Sequence, residues 1–304
     1  MRKIFITGAN GFVGKNLLKV LDRLGITSVA GSRNLYGDIV AQSSWKSLLN
    51  DSDVVVHLAA RVHVMEESES DPLVAFRKLN VDATMNLARA AKESGVKRFI
   101  YISSVKVNGE VTLDVAFKAS DLPNPIDPYG ISKMEAESSL MKLHEPGKFE
   151  VVIIRPPLVY GPGVKANFEK LFWLVKKDLP IPFGRVKNKR SLVSVYNLCD
   201  LIIRCFDHPK ASGETFLVSD DFDYSLKDLI TLMAKTEGKF PHLLPVPVKL
   251  MSFAATMLGK KAYANRLFGN LHVDISKTKD LLNWKPPYTF EDTFKSSEKL
   301  PISS

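Results

Sequence analysis

Cysteine is scarce in this chain: Cys199 and Cys205 are the only two, and their spacing suits neither a metal site nor a redox pair. A disulfide framework is therefore excluded as the source of stability, no metal is expected, and a reducing, cytoplasmic compartment fits best. Long apolar runs are missing too. The N-terminal stretch Met1–Thr7 breaks at Gly8 before a signal-peptide core forms, and the longest later stretch, Val246–Leu258, is interrupted by Pro247, Lys249 and Ser252. That falls well short of the ~20 apolar residues a spanning helix needs, so neither a leader nor a membrane span is expected. There is no internal repeat and no low-complexity tract, and a chain of 304 residues with 45% hydrophobic content can bury a large core without staples.

Acidic residues are outnumbered by basic ones, 33 to 42, giving a formal net charge of +9. The lysines are scattered and no aromatic-plus-basic stripe accompanies them, so a nucleic-acid partner is not expected. A positive cleft for a phosphate-bearing small molecule is the reading that survives.

Short apolar runs at Lys3–Thr7, Ser28–Ser32, Val54–Leu58, Arg98–Ser103 and Val151–Arg155 alternate with stretches of helical spacing: Leu17 to Leu24, Trp45 to Leu49, Leu79 to Ala91 and Ser132 to Leu143. This rhythm predicts an α/β fold, a doubly wound parallel sheet with crossover helices. After Arg155 the pattern changes to proline-punctuated segments, one further strand at Glu214–Ser219, and a helical tail ending near Trp284. The expected organisation is a dinucleotide-binding domain over residues 1–157 with a returning segment around 190–220, and a smaller, discontinuous substrate lobe over 158–189 and 221–304.

Gly8, Gly11 and Gly14 follow the first strand directly and open the first helix. Such glycines allow a tight turn, close backbone approach to a pyrophosphate and close helix packing, with the helix N-terminus facing the phosphates. At the end of the second strand, where an acid would hold the ribose of NAD, the chain has Gly31-Ser32-Arg33. Arg33 suits a 2′-phosphate instead, which favours NADP while leaving NAD open. Asp38 and Ile39 are candidates to frame the adenine.

Tyr129 and Lys133 lie one helical turn apart. A nearby ammonium lowers the cost of a phenolate, so Tyr129 can serve as acid or base while Lys133 reaches the cofactor ribose. Ser104, at the preceding strand end, can hydrogen-bond the reacting oxygen. His57 and His63 read as core histidines.

Taken with His57–Ala60, Asn80 and the segment Arg155-Pro-Pro-Leu-Val-Tyr-Gly-Pro162, these motifs resemble the extended short-chain dehydrogenase/reductase superfamily. The likeness is to its nucleotide-sugar epimerases, dehydratases and reductases, and it covers nearly the whole chain. It implies a catalytic set of Ser104, Tyr129 and Lys133. It implies a cofactor lined by Gly8, Gly11, Phe12, Val13, Gly14, Ser32, Arg33, Asp38, Ile39, Leu58, Ala59, Ala60, Asn80 and Pro156. It also implies UDP-sugar contacts at Asn167, Arg190 and Arg266, and a homodimer formed through the helices around Asp82–Ser94 and Tyr129–His144. Two positions depart from the family pattern: Leu158 stands in place of an asparagine near the sugar nucleotide, and Asn108 in place of a tyrosine before Gly109.

Within the superfamily, 4,6-dehydratases need an acid and a base just after the catalytic serine or threonine. Val105-Lys106 stands there instead, which disfavours dehydration. The missing acid after the second strand tilts the expectation towards a reductase. The segments Val56–Val64, Arg155–Asn167, Asn188–Val193 and the ending Leu281-Leu-Asn-Trp-Lys-Pro286 resemble a bacterial surface-polysaccharide branch, and that resemblance implies 4-keto reduction of UDP-2-acetamido-2,6-dideoxy-hexulose to UDP-N-acetylquinovosamine. UDP-glucose or UDP-GlcNAc 4-epimerisation is the alternative. A non-sugar ketone reductase and an NADP-sensing regulator are more distant ones.

Overall fold

The computed structural model describes residues 2–40, 42, 45–62, 71–164 and 167–294, without the side chains of Arg33, Asn167 and Ala262. His63 lies outside the described residues. Among the described residues nine strands run in chain order: β1 Lys3–Thr7, β2 Thr27–Gly31, β3 Val54–His57, β4 Arg98–Ile102, β5 Glu150–Arg155, β6 Leu158–Tyr160, β7 Arg190–Ser194, β8 Thr215–Leu217 and β9 Asp223–Tyr224. Six of them form a sheet in the order β2-β1-β3-β4-β5-β8, parallel throughout. The expected doubly wound α/β fold is therefore present, with strand boundaries within one or two residues of expectation.

Because side chains alternate across a strand, each strand feeds both faces of the sheet. Ile4, Ile6, Val54, Val56, Ile100, Ile102, Val152 and Ile154 pack on one side with Leu17 and Leu21 of helix Phe12–Arg23 and with Leu198, Leu201 and Ile202 of helix Val195–Arg204. Phe5, Val55, Phe99, Tyr101, Val151 and Ile153 pack on the other with Leu87 and Ala88 of helix Thr84–Glu93 and Ala136 and Leu140 of helix Pro128–Met141. Burial on both faces is why these strands read as nearly unbroken apolar runs.

A second, three-stranded sheet, β6-β7-β9, supports a separate core containing Tyr160, Phe168, Leu192, Ile230, Met233 and Phe290. Asp220 ties it to the large sheet. Oδ2 of Asp220 accepts from Tyr160 Oη at 2.6 Å, and Oδ1 accepts from Ser194 N at 2.8 Å and Asn197 Nδ2 at 2.6 Å. Among the described residues no helix is long and apolar enough to cross a membrane.

Burial pushes the Asp220 carboxyl up to about 6 although all three hydrogen bonds favour its charged form. A folded-state value above the unfolded one means that its charge subtracts stability as pH rises from the ordinary carboxylate range to about 6, with no further change above. Asp220→Asn, whose oxygen can still accept from Ser194 N and Asn197 Nδ2 while its NH2 donates to a reversed Tyr160 hydroxyl, is expected to be at least as stable as wild type at pH 7, with the difference shrinking towards pH 4. Asp220→Ala strands three buried groups and should lose about 3 kcal/mol or more. Urea unfolding across that pH range checks both.

Candidate active site

The order of the sheet reverses between β1 and β3, so the crevice beyond their carboxyl ends is where such a fold binds its ligand. Gly8, at φ +68°, sits there against the chain leaving β3: a Cβ on it would stand 2.7 Å from Ala59 N and 2.9 Å from Leu58 C. One on Gly14 would stand 2.4 Å from Gly8 O. The helix Phe12–Arg23 opens at Gly11 with no side-chain cap on its first turn. Phe12, Val13 and Gly14 thus start a helix whose amides face the crevice without a competing side chain, a cradle that fits a diphosphate.

The other candidate cofactor residues surround this cradle unequally. Ala59 N donates to Thr7 Oγ1 at 3.3 Å, and Pro156 O accepts from Val105 N at 3.0 Å. Asn80 is fully buried within a π-helical turn, Lys78–Ala83. Its amide accepts from Arg61 N (2.8 Å) and donates to Arg61 O (3.1 Å) and Ser132 Oγ (3.0 Å), so it ties the exit of β3 to the helix that carries Tyr129. Asp38 is exposed and accepts from Val40 N at 3.0 Å, while Ile39 is buried beside Tyr36 and Trp45. Ser32 O accepts the backbone N–H groups of Leu35 and Tyr36. The side chain of Arg33 lies outside the described residues.

The candidate catalytic residues Ser104, Tyr129 and Lys133 come together where β4 ends. Ser104 caps the short turn Val105–Val107, accepting from Lys106 N at 3.2 Å, and is hydrogen-bonded to Tyr129. Tyr129 stands in the first turn of helix Pro128–Met141, which begins at Asp127: its carboxylate accepts from Gly130 N at 2.7 Å, and Pro128 occupies the first helical position. Lys106 forms ion pairs with Asp127 and, at 3.1 Å, with Glu110. The segment carrying Ser104 is thereby anchored to the helix carrying Tyr129.

Lys133 is buried; its Nζ donates to Ile102 O at 2.8 Å and lies 4.4 Å from the centre of the Tyr101 ring and 6.0 Å from that of Tyr129. Desolvation drives its ammonium down to about 7, against the opposing attraction of Glu137 one turn on. Burial likewise pushes Tyr129 up to about 12, with the Ser104 hydrogen bond only partly offsetting it. The expected lowering of Tyr129 by Lys133 is thus not realised in this structure, because the ammonium is turned to a carbonyl and an aromatic face. His57 is a satisfied core residue, within 2.6 Å of Thr7 Oγ1 and 2.9 Å of Thr84 Oγ1, and burial holds it neutral with its value near 3.

The candidate substrate residues lie on the small lobe. Arg190 Nη1 donates to Arg266 O at 2.7 Å and Gly269 O at 3.2 Å, so part of its guanidinium caps the helix Lys261–Phe268. Arg266 is exposed and 3.5 Å from Glu110. The Asn167 side chain lies outside the described residues. Leu158 is half exposed, and Asn108 is buried, accepting from Arg155 Nη1 at 3.0 Å and donating to Lys118 O at 2.8 Å. That scaffolding explains an amide where the family pattern has a tyrosine. Among the described residues no group of His, Cys, Asp and Glu side chains is arranged to hold a metal ion.

Sequence reasoning missed Asp127 and Glu137, and gave Lys106 and Arg155 no part in positioning the site. Asp127-Pro128 is a helix-start signature that could have placed the first of them.

A glycine cradle at the switch point and a Ser/Tyr/Lys set at the end of β4 define a dinucleotide-dependent enzyme of the short-chain dehydrogenase/reductase type. Residues 4–219 match the NAD dependent epimerase/dehydratase family, and the chain belongs to it. It is 47% identical to a UDP-glucose 4-epimerase of Vibrio cholerae, over 97% of this chain and 94% of that protein. It is 26% identical to a GDP-6-deoxy-D-mannose reductase of Pseudomonas aeruginosa, over 97% and 95%. Among solved structures, MoeE5 in complex with UDP-glucose and NAD superposes with a TM-score of 0.76 at 21% identity, covering 96% of this chain and 95% of that one. RMD from Pseudomonas aeruginosa complexed with NADPH does so at 0.74 and 22%, covering 96% of each. These two likenesses establish the fold.

Lys133 carries a stability cost that can be measured. Its folded value near 7 lies below the ordinary lysine value of about 10.4. The folded state therefore binds fewer protons than the unfolded one between these limits, and stability rises with pH across that window. In nucleotide-free protein, Lys133→Met is expected to melt several degrees above wild type at pH 7, with the gap closing towards pH 10. A variant that melts lower at pH 7 would contradict this account.

Proposed function

We propose that the protein is a UDP-sugar 4-epimerase that acts on a UDP-hexose such as UDP-glucose or UDP-GlcNAc and keeps its dinucleotide bound through the cycle. The observation that carries this is the 47% identity, sustained over nearly the whole of both chains, to a UDP-glucose 4-epimerase. It displaces the 4-keto reductase favoured from the sequence alone. Site chemistry supports exchange at a single carbinol: Lys106, which stands where a dehydratase needs its acid and base, is held between Asp127 and Glu110.

On this reading the Gly8–Gly14 cradle, Leu58–Ala60 and Pro156 hold the dinucleotide, with Lys133 at its ribose. When bound, the dinucleotide supplies reversible two-electron oxidation of the C4 carbinol. Ser104 holds the C4 oxygen by a hydrogen bond. Burial keeps Tyr129 a neutral phenol in the nucleotide-free site, so it must first be ionised, with the Lys133 ammonium turned towards it and the cofactor. As a phenolate it then accepts the hydroxyl proton as the carbonyl forms and returns it as the carbinol is restored, and inversion follows when the opposite face of the ketone is presented. Residues 1–157 with the returning 190–220 segment form the cofactor part, and residues 158–189 and 221–304 the nucleotide-sugar lobe. There Asn167, Arg266 and the remaining N–H groups of Arg190 hold the diphosphate. Assembly is a homodimer.

Reduction of a 4-keto sugar is the second reading, favoured by the end of β2: Gly31-Ser32-Arg33 offers a cation and no acid for the adenosine ribose. Incubation with UDP-glucose or UDP-GlcNAc and no added reductant should give the C4 epimer, followed by chromatography, and Tyr129→Phe should cut the rate by about 10²–10⁴-fold while leaving cofactor affinity nearly intact. Stoichiometric NADPH oxidation on a UDP-4-keto-6-deoxy sugar, with no epimer formed from either UDP-hexose, would overturn the epimerase in favour of the reductase. Arg190→Ala should weaken UDP binding about tenfold, as expected for a lost charge-assisted contact, with dinucleotide affinity unchanged.

A further inference from the structure

The helix Val248–Met257 breaks the usual rule for a surface helix, which turns its apolar stripe to the core and its polar side to water. Val248 and Met251 do pack on the small-lobe core. Yet Leu250, Phe253, Ala254 and Met257, spaced i, i+3, i+4 and i+7, face outwards, and Leu258 extends the stripe. Phe253 is 62% exposed, Met257 70% and Leu258 73%. None of the ten residues of this helix is buried. Scattered exposed apolar residues are ordinary, but a helix-long stripe of them marks a contact surface.

Charge around the stripe points to what it contacts. From Gly238 to Val273 the chain contains no Asp or Glu, but carries Lys239, Lys249, Lys260, Lys261 and Arg266. Lys249 lies within the helix, and Lys260 and Lys261 follow it directly; all three are exposed. An apolar stripe edged by lysines, with no acid for the whole length of the segment, has the composition of a helix that lies in a bilayer interface beside anionic headgroups. A second copy of this chain complements it poorly, since the same basic rim would meet itself.

We propose that this face is a peripheral membrane-docking surface, with Leu250, Phe253, Met257 and Leu258 entering the headgroup–acyl boundary of an anionic bilayer and Lys249, Lys260 and Lys261 pairing with its lipid phosphates. The adjoining helix Lys261–Phe268 leads to Asn270, whose carbonyl accepts from Thr112 N at 3.0 Å, and Arg266 lies 3.5 Å from Glu110. The docking face therefore joins the loop that follows Ser104. A docked enzyme would present this edge of its active-site region to the membrane.

Flotation with vesicles of phosphatidylcholine and about one-third phosphatidylglycerol tests this, against vesicles of phosphatidylcholine alone. Full-length protein should float with the anionic vesicles and stay behind with the neutral ones. A Phe253→Ser/Met257→Ser variant should lose flotation yet keep its melting temperature and turnover. Lys249→Glu/Lys260→Glu/Lys261→Glu should weaken binding by at least fivefold per charge, the effect collapsing in high salt. Wild-type protein that fails to float with anionic vesicles overturns the proposal. So does flotation that survives the serine variant, or sedimentation showing that this variant converts an oligomer to a smaller species, which would assign the stripe to self-association. Because turnover is measured separately, loss of docking is distinguishable from failure of the epimerase reading.

Discussion

Beneath the helix that carries Tyr129, two opposite charges are buried together. Arg155, at the end of β5, grips Glu137 with Nε at 2.9 Å from Oε1 and Nη2 at 2.6 Å from Oε2, while its Nη1 reaches Asn108. Both side chains are almost wholly enclosed. Such a pair contributes little net stability against an apolar replacement, but removing one partner leaves an uncompensated buried charge at a cost of about 3–5 kcal/mol. Its value here is positional. Glu137 lies one turn beyond Lys133, which lies one turn beyond Tyr129, so holding Glu137 to the end of β5 sets the rotation of the whole helix against the sheet. Lys133 can then meet Ile102 O only at the end of β4.

That rotation explains why the site is electrostatically poised rather than relaxed. Lys133 is withdrawn from water with one carbonyl, one aromatic face and a carboxylate a turn away, and its affinity for a proton falls to near neutrality. Tyr129 is driven the other way by the same dryness. Neither arrangement favours folding, and each is tolerated because the surrounding parallel strands over-determine the geometry. A nicotinamide ring and a ribose entering this space would change both environments at once. Binding of a dinucleotide there would therefore be coupled to the protonation of Tyr129 and Lys133.

Much of this was legible in the residues. Strands buried on both faces announce themselves as apolar runs, so Val54–His57 and Arg98–Ile102 were placed within a residue, and the Gly8–Gly14 spacing located the cradle. Other parts left no local trace. Strands of three and two residues, such as Leu158–Tyr160 and Asp223–Tyr224, have no room for a period, and the small sheet exists only because β6, β7 and β9 meet. The pairing of Lys106 with Asp127 and of Glu137 with Arg155 joins residues far apart in the chain, which no spacing rule reports. Above all, nothing local says that Lys133 is buried, since lysine ordinarily is not. The mutual position of Tyr129 and Lys133 was readable, but its effect on their proton affinities was not.

The choice between epimerisation and reduction does not reside in the catalytic set, because Ser104, Tyr129 and Lys133 would serve either. Both reactions pass through a ketone at the same carbon. They part over what happens next: an epimerase must retain its dinucleotide and let the ketone present its other face, whereas a reductase must exchange its dinucleotide every turn. The first requirement falls on the lobe that would hold the nucleotide, where Arg190 is already committed through Nη1 to the end of helix Lys261–Phe268. On the proposed reading, a diphosphate held by so constrained a guanidinium would stay fixed while the sugar beyond it rotates. The second requirement falls on the cradle, where Gly8 and Gly14 bring backbone so close to Ala59 and to one another that no side chain intervenes. On the proposed reading, specificity between the two reactions would be a matter of which end of the cleft lets go first, set by the anchoring of the two diphosphates rather than by the chemistry between them.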